Sequence, residues 1–167
     1  MSSQDCGAHV AVVEQHKKLE PFVGRFKATV KLWMGPGEPK VSTGVMTNSW
    51  ALGGRFLKQD YQGDQQGQAM PPFEGHGYWG FNTGTGKYEG FWIDNASTMM
   101  QTEVGTLDAS GKTWTMIGEL HNPQTKQPMK KRSVIKLLDK NHHDLEMYFS
   151  GPDGKEGKVM EITYVRA

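Results

Sequence analysis

Ten short runs of alternating apolar and polar residues, each closed by a cluster of turn residues, constrain this chain more than any other feature. The runs fall near Arg25–Trp33, Ser42–Trp50, Arg55–Gln62, Phe73–Phe81, Lys87–Asp94, Met99–Leu107, Thr113–Leu120, Met129–Leu138, His143–Ser150 and Lys158–Arg166. Alternation with period two is the mark of a half-buried strand. The punctuation is strong: Gly35-Pro36-Gly37, Gly53-Gly54, Pro71-Pro72, Gly84–Gly86, Asp108–Gly111, Asn122-Pro123, Asp139–Asn141 and Gly151–Gly154. The most aromatic pair of runs, Glu74–Phe81 and Lys87–Asp94, is joined by Asn82–Gly86, whose Asn and Gly residues suit a tight hairpin. One stretch, about 9–20, reads as a helix: Val12, Gln15, His16 and Leu19 fall near one face, and Pro21 ends it. About ten strands and one short helix predict an all-β fold. A single closed antiparallel up-and-down β-barrel over about 24–166 is the simplest form, because closure removes sheet edges. With no repeat and no linker, residues 1–167 read as a single domain, long enough to bury a core.

Composition narrows the partners. Nineteen basic and 18 acidic residues leave a net charge of +1, which gives no bulk field for nucleic acid or an anionic membrane. The one tight basic cluster, Lys130-Lys131-Arg132, reads as a solvated strand start or charged edge. A lone Cys6 excludes an internal disulfide. The N-terminus has neither a basic leader nor a long apolar run, so a soluble cytoplasmic protein is the default expectation. Twenty-one Gly fit many turns, and ten Met fit an adaptable interior.

Parity within the runs assigns an inner face. Phe26, Ala28, Val30 and Leu32 oppose Lys27, Thr29 and Lys31; Trp114, Met116 and Leu120 oppose Thr113, Thr115 and Glu119. Leu145, Met147 and Phe149 share a face in the ninth run, as do Met160, Ile162, Tyr164 and Arg166 in the tenth. Arg55, Leu57, Gln59 and Tyr61 share a face in the third, and Tyr88, Trp92 and Asp94 in the fifth. The fourth is ambiguous between a Gly75/Gly77/Trp79 face and a Glu74/His76/Tyr78 face. His76 and Tyr78 are expected inward, with the glycine-rich face lying under the N-terminal helix. An apolar interior carrying a few convergent polar groups is what a small-molecule site looks like, although Met and Trp also serve simply as filling.

Catalytic motifs fare less well. Gly75–Gly80 matches G-x-G-x-x-G by letter, but a turn and another strand follow it where a dinucleotide site needs a helix N-terminus. Gly84–Lys87 fails as a phosphate loop for the same reason. The six histidines (His9, His16, His76, His121, His142 and His143) show no metal-ligand spacing, and no Cys pairs accompany them, so no metal and no cofactor are expected. His76 fits a hydrogen-bonded strand histidine, a general base or an axial haem ligand. Asp94, followed by Ser97 and Thr98, fits a turn; facing an apolar lumen, it would instead be a desolvated acid/base. No Ser-His-Asp or Cys-His context is present.

Leu52-Gly53-Gly54-Arg55-Phe56-Leu57, Gly75-x-Gly77-Tyr78-x-Gly80-Phe81-Asn82, Lys87-Tyr88 and Trp92-Ile93-Asp94-Asn95-x-Ser97-Thr98 together resemble the bacterial domain-of-unknown-function family 1579. The similarity continues through Gly105, Asp108 and Glu161-Ile162-x-Tyr164-x-Arg166, and so covers nearly the whole chain. The resemblance implies a calycin-like, lipocalin-like β-barrel and no established activity. Calycins open with Gly-x-Trp and close with an Arg packed over that ring; here Gly24-Arg25-Phe26 and Arg166 hold those places, with Phe for Trp.

The functional expectation is a module that binds a small apolar or aromatic molecule in the lumen. Met46, Trp50, Trp92, Trp114, Met116 and Met147 would line it, and Arg55, Gln59, Tyr61, Tyr78, His76 and Asp94 would orient the ligand's polar end. The alternative is an enzyme on the same barrel, of isomerase, cyclase or hydratase type, with Asp94 or His76 moving the proton. Haem binding through His76, and a filled barrel that homodimerises through an exposed apolar patch, are further readings. No nucleic-acid or membrane partner is expected.

Overall fold

The computed structural model describes residues 9–67 and 71–167; Cys6 lies outside them. The chain enters through α1 (Glu14–Lys17) and a 3-10 turn (Glu20–Phe22), and then forms ten strands. These are β1 (Gly24–Leu32), β2 (Lys40–Ala51), β3 (Phe56–Gly63), β4 (Glu74–Asn82), β5 (Lys87–Asp94), β6 (Gln101–Leu107), β7 (Thr113–His121), β8 (Pro128–Asp139), β9 (His142–Ser150) and β10 (Glu156–Arg166). Each strand pairs antiparallel with its sequence neighbour, and β1 pairs with β10 from Phe26↔Arg166 to Leu32↔Met160, closing the barrel. The all-β, closed up-and-down reading holds, and every strand lies within about two residues of its alternating run.

The helix is shorter than expected. Three β-branched residues, Val10, Val12 and Val13, precede it, Val13 offers no capping oxygen, and Pro21 forces a 3-10 turn in place of further α-turns. What fixes the segment is burial: His16, Leu19 and Phe22 are enclosed, and the Tyr88 hydroxyl donates to the Gln15 carbonyl at 2.8 Å. Leu19 and Phe22 plug one end of the barrel against Leu57, Trp79, Tyr88, Trp114 and Met116. Arg166 seals that end. Its guanidinium lies 4.5 Å over the Phe26 ring and donates to the carbonyls of Val23, Pro21 and Lys140. Gly24 is required beneath it, since it holds φ +128° and a Cβ there would strike the guanidinium. The Arg-over-Phe contact expected from the calycin likeness is therefore present.

The β4–β5 hairpin packs by reciprocal nesting. Trp92 pairs with Gly77 and lies back over Gly77 and Gly75; Trp79 pairs with Gly90 and lies over it. The Trp92 indole lies over the wall because Gly77 and Gly75 have no side chains, whereas Trp79 only brushes Gly90 with Cδ1. The two glycines differ in clearance. A Cβ on Gly77 would stand 2.6 Å from the Phe91 carbonyl oxygen and 2.8 Å from the Trp92 ring, whereas one on Gly90 would meet Trp79 at an ordinary 3.7 Å. Gly77→Ala should therefore cost about 2 kcal/mol through overpacking, a fall in Tm of roughly 4–8 °C for a chain of this size. Gly90→Ala should leave Tm within about 2 °C. Calorimetry on the two variants checks the contrast; equal losses would remove it.

Candidate functional site

Inward parity puts Met46, Asn48, Leu57, Gln59, Tyr61, Trp79, Tyr88, Trp92, Trp114, Met116, His143, Leu145, Met147, Ile162 and Tyr164 on the barrel's inner face. Their burial divides the lumen in two. In the half under the plug, Phe26, Leu57, Trp114 and Met116 are fully enclosed, and Met46, Trp79 and Tyr88 nearly so. Toward the opposite end Trp92, Leu145, Met147, Phe149 and Met160 still point inward, yet they are only half-buried. Trp92, Leu145 and Met160 lie at the partly exposed edge of a second core of Phe26, Ala28, Met46, Tyr61, Ile162 and Tyr164, so among the described residues this half of the wall, the open half, is less completely covered than the half under the plug. The candidate site is this open half.

The open half carries a polar cluster that sequence reasoning missed. Glu103 on β6 and Lys131 on β8 flank Gly118 on β7, which has no side chain to separate them. Lys131 Nζ sits 2.9 Å from Glu103 Oε1 and donates to Gln101 Oε1 at 3.0 Å, and Ser133 Oγ donates to Glu103 Oε1 at 2.7 Å. The Lys131 side chain is only 6% exposed and that of Glu103 16%. Lys131 is thus not the solvated strand start expected of the Lys130-Lys131-Arg132 cluster. The available signal was parity: Met129, Lys131, Ser133, Ile135 and Leu137 share one phase of β8, so a charge sits on the apolar side.

The expected site residues are scattered by the same parity. Gln59, Trp92, Met147 and Asp94 face inward at or toward the open half. Met46, Tyr61, Trp114 and Met116 face inward but belong to the filled cores. Trp50 packs at the plugged end, its Nε1 donating to Glu20. Arg55 lies in the turn before β3 and donates to the carbonyls of Leu52 and Val10. The inward placement of His76 and Tyr78 is corrected: both point outward, because the inner face of β4 must present Gly75 and Gly77 beneath Trp92. The glycine face therefore lies under an indole, not under the helix. Tyr78 stacks on Phe91 at 6.1 Å. His76 Nδ1 is 2.7 Å from Asp60 Oδ1, in an outer-surface groove of about 520 Å³ with Arg25, Thr47, Asp64 and Glu74. Asp94 has one oxygen on Trp92 Nε1 at 3.1 Å and the other on the Ala96 amide at 3.0 Å, so it anchors both the indole and the turn. Among the described residues no group of His, Cys, Asp and Glu is placed to hold a metal, and no helix is long and apolar enough to cross a membrane.

Burial sets the ionisation of the lumen's other titratable groups. His143 stacks on Tyr164 at 4.4 Å and meets Phe26 and Phe22 edge-on. Desolvation, with Arg166 nearby, lowers its pKa from 6.5 to about 3, so it is neutral in the folded protein. Desolvation raises the Tyr61 and Tyr164 hydroxyls, which stay protonated.

The fold defines a class: a closed ten-strand calycin-like barrel, plugged at one end. The family model described as "Protein of unknown function (DUF1579)" matches residues 12–166, and the chain belongs to that family. None of the curated proteins matches the sequence. Among solved structures, Rv2717c from M. tuberculosis is similar at TM-score 0.66 and 13% identity, over 94% of this chain and 99% of that one. The S-type phycobiliprotein lyase CPES from Guillardia theta is similar at TM-score 0.60 and 10% identity, over 90% of this chain and 91% of that one. At these identities the likeness is one of fold.

Two outcomes follow from the electrostatics. His143 is neutral when folded but binds a proton below pH 6.5 when unfolded, so its contribution is complete above 6.5 and is lost as pH falls toward 3. Between pH 7 and pH 5 the loss is about 2 kcal/mol, and urea denaturation of His143→Phe should show a shallower pH dependence by that amount. Lys131→Met leaves a part-buried carboxylate without its cation and should cost about 2–3 kcal/mol at pH 7. Removing both charges, as Glu103→Leu/Lys131→Met, should recover at least half of that loss in the same titration.

Proposed function

We propose that this protein binds one small, largely apolar or aromatic molecule in the open half of its lumen. One observation carries the reading: Trp92, Leu145, Met147 and Met160 point inward yet remain half-buried, while the same face under the plug is filled. Trp92 supplies a flat aromatic wall fixed by its bond to Asp94, and Met147 and Met160 supply a polarizable wall that adapts to shape. Gln59 and Asp94 stand where they would orient a polar substituent. Met34 and Met100, 85% and 79% exposed, stand in the loops at the same end and give entry an apolar rim.

The uncharged probe N-phenyl-1-naphthylamine, which brightens in apolar surroundings, tests the reading. It should bind one-to-one with enhanced emission. Met147→Trp, which fills the open half, should weaken it at least about tenfold, the equivalent of losing some 1.4 kcal/mol of contact. Ile117→Ser, on the outer face opposite Val104, should leave affinity unchanged. Binding that ignores Met147→Trp but responds to Ile117→Ser would place the probe on the outside and overturn the lumen reading.

A further inference from the structure

The inner wall holds a charge pair where an apolar ligand alone would need none. Lys131 uses two of its three N–H groups on Glu103 and Gln101, and Glu103 Oε1 accepts from both Lys131 and Ser133. Among the described residues the second carboxylate oxygen, Glu103 Oε2, accepts no hydrogen bond, and neither does the Gln101 amide nitrogen donate one. Neither atom belongs to the buried unpartnered polar atoms, so both are reached by solvent. Both residues share the inward phase of β6, opposite Tyr88, Gly90 and Trp92 on β5. Glu103 lies across from Gly90, and Gln101 lies across from Trp92. The lumen wall therefore presents an acceptor (Glu103 Oε2) and a donor (Gln101 Nε2) two residues apart on one strand, next to an indole.

Resting on the lumen reading, we propose that this cluster selects an uncharged aromatic ligand carrying an N–H donor beside a C=O acceptor, as in a carboxamide or lactam. The carbonyl takes the Gln101 N–H, the N–H donates to Glu103 Oε2, and the ring lies against Trp92. The charge logic disfavours ions of either sign. Lys131 and Glu103 already neutralise each other, so an anion meets the exposed carboxylate oxygen, and a cation must give up its hydration for a carboxylate whose charge Lys131 already offsets. Neither gains enough to offset leaving water. A hydrocarbon of the same shape, conversely, strips water from Oε2 and from the Gln101 amide without replacing the bonds.

A matched series reads this directly: naphthalene, 2-naphthamide, 2-naphthoate and 2-naphthylmethylammonium, titrated at pH 7 by displacement of N-phenyl-1-naphthylamine from the wild type and from Glu103→Leu/Lys131→Met. 2-Naphthamide should bind about tenfold or more tighter than naphthalene and both ions, the worth of one to two satisfied hydrogen bonds. In the double variant the advantage should vanish while naphthalene still binds, which shows the lumen intact. Equal affinity for naphthalene and 2-naphthamide in the wild type would make the pair purely structural and overturn the proposal, leaving the lumen reading in place. So would a preference for naphthoate or the ammonium, or an amide preference that survives in the double variant. Failure of the lumen to take any of the four, or the displaced probe, would overturn both readings together.

Discussion

Closing the sheet through β1 and β10 is the constraint on which the rest of the structure depends. Once Phe26 pairs with Arg166 and Leu32 with Met160, every strand between them must present one parity inward and the other outward, and no strand is free to slip by a single residue. Arg166 adds a lock at the seam, reaching from the last strand to carbonyls before the first and covering Phe26. The plugged end follows from that seam. Phe22 and Leu19 reach the interior because the 3-10 turn at Pro21 delivers the chain beneath the Arg166 guanidinium.

Parity was legible in the sequence wherever one phase of a strand was plainly apolar, which is why β1, β7 and β10 could be oriented from residues alone. β4 could not, because its inner phase reads Gly75, Gly77, Trp79 and its outer phase Glu74, His76, Tyr78. Residue character favours the second as a ligand wall. The deciding fact is a cross-strand contact: Trp92 needs the space that Gly75 and Gly77 leave empty. Strand pairing is non-local, so no inspection of β4 by itself supplies it. The helix failed for a related reason. Its segment is held by tertiary burial of His16, Leu19 and Phe22 and not by its own turns.

The Glu103–Lys131 pair shows the same limit from the other side. Read as a run, Lys130-Lys131-Arg132 is a charged edge. Read by parity, Lys131 alone shares a face with Met129, Ser133 and Ile135. Its partner lies two strands away, made reachable only by Gly118 between them. An internal ion pair is an expensive way to stabilise a barrel, since two well-packed apolar residues commonly do as well. The pair sits on the inner phase of β6 and β8, where alternation alone would place apolar residues.

The plug gives the division of the lumen a structural cause. Leu19 and Phe22 come from the segment before the barrel, so the depth of the lumen is set by a piece of chain independent of the strands' alternation. Strands continue inward-facing apolar residues from end to end, and nothing in their pattern marks where filling stops. Burial marks it: Trp114 and Met116 have no exposed surface to speak of, whereas Trp92 and Met147, one or two residue pairs further along the same wall, do. The ion pair sits at that boundary, with Ser133 paired to the enclosed Met116 on one side and to the half-buried Met147 on the other.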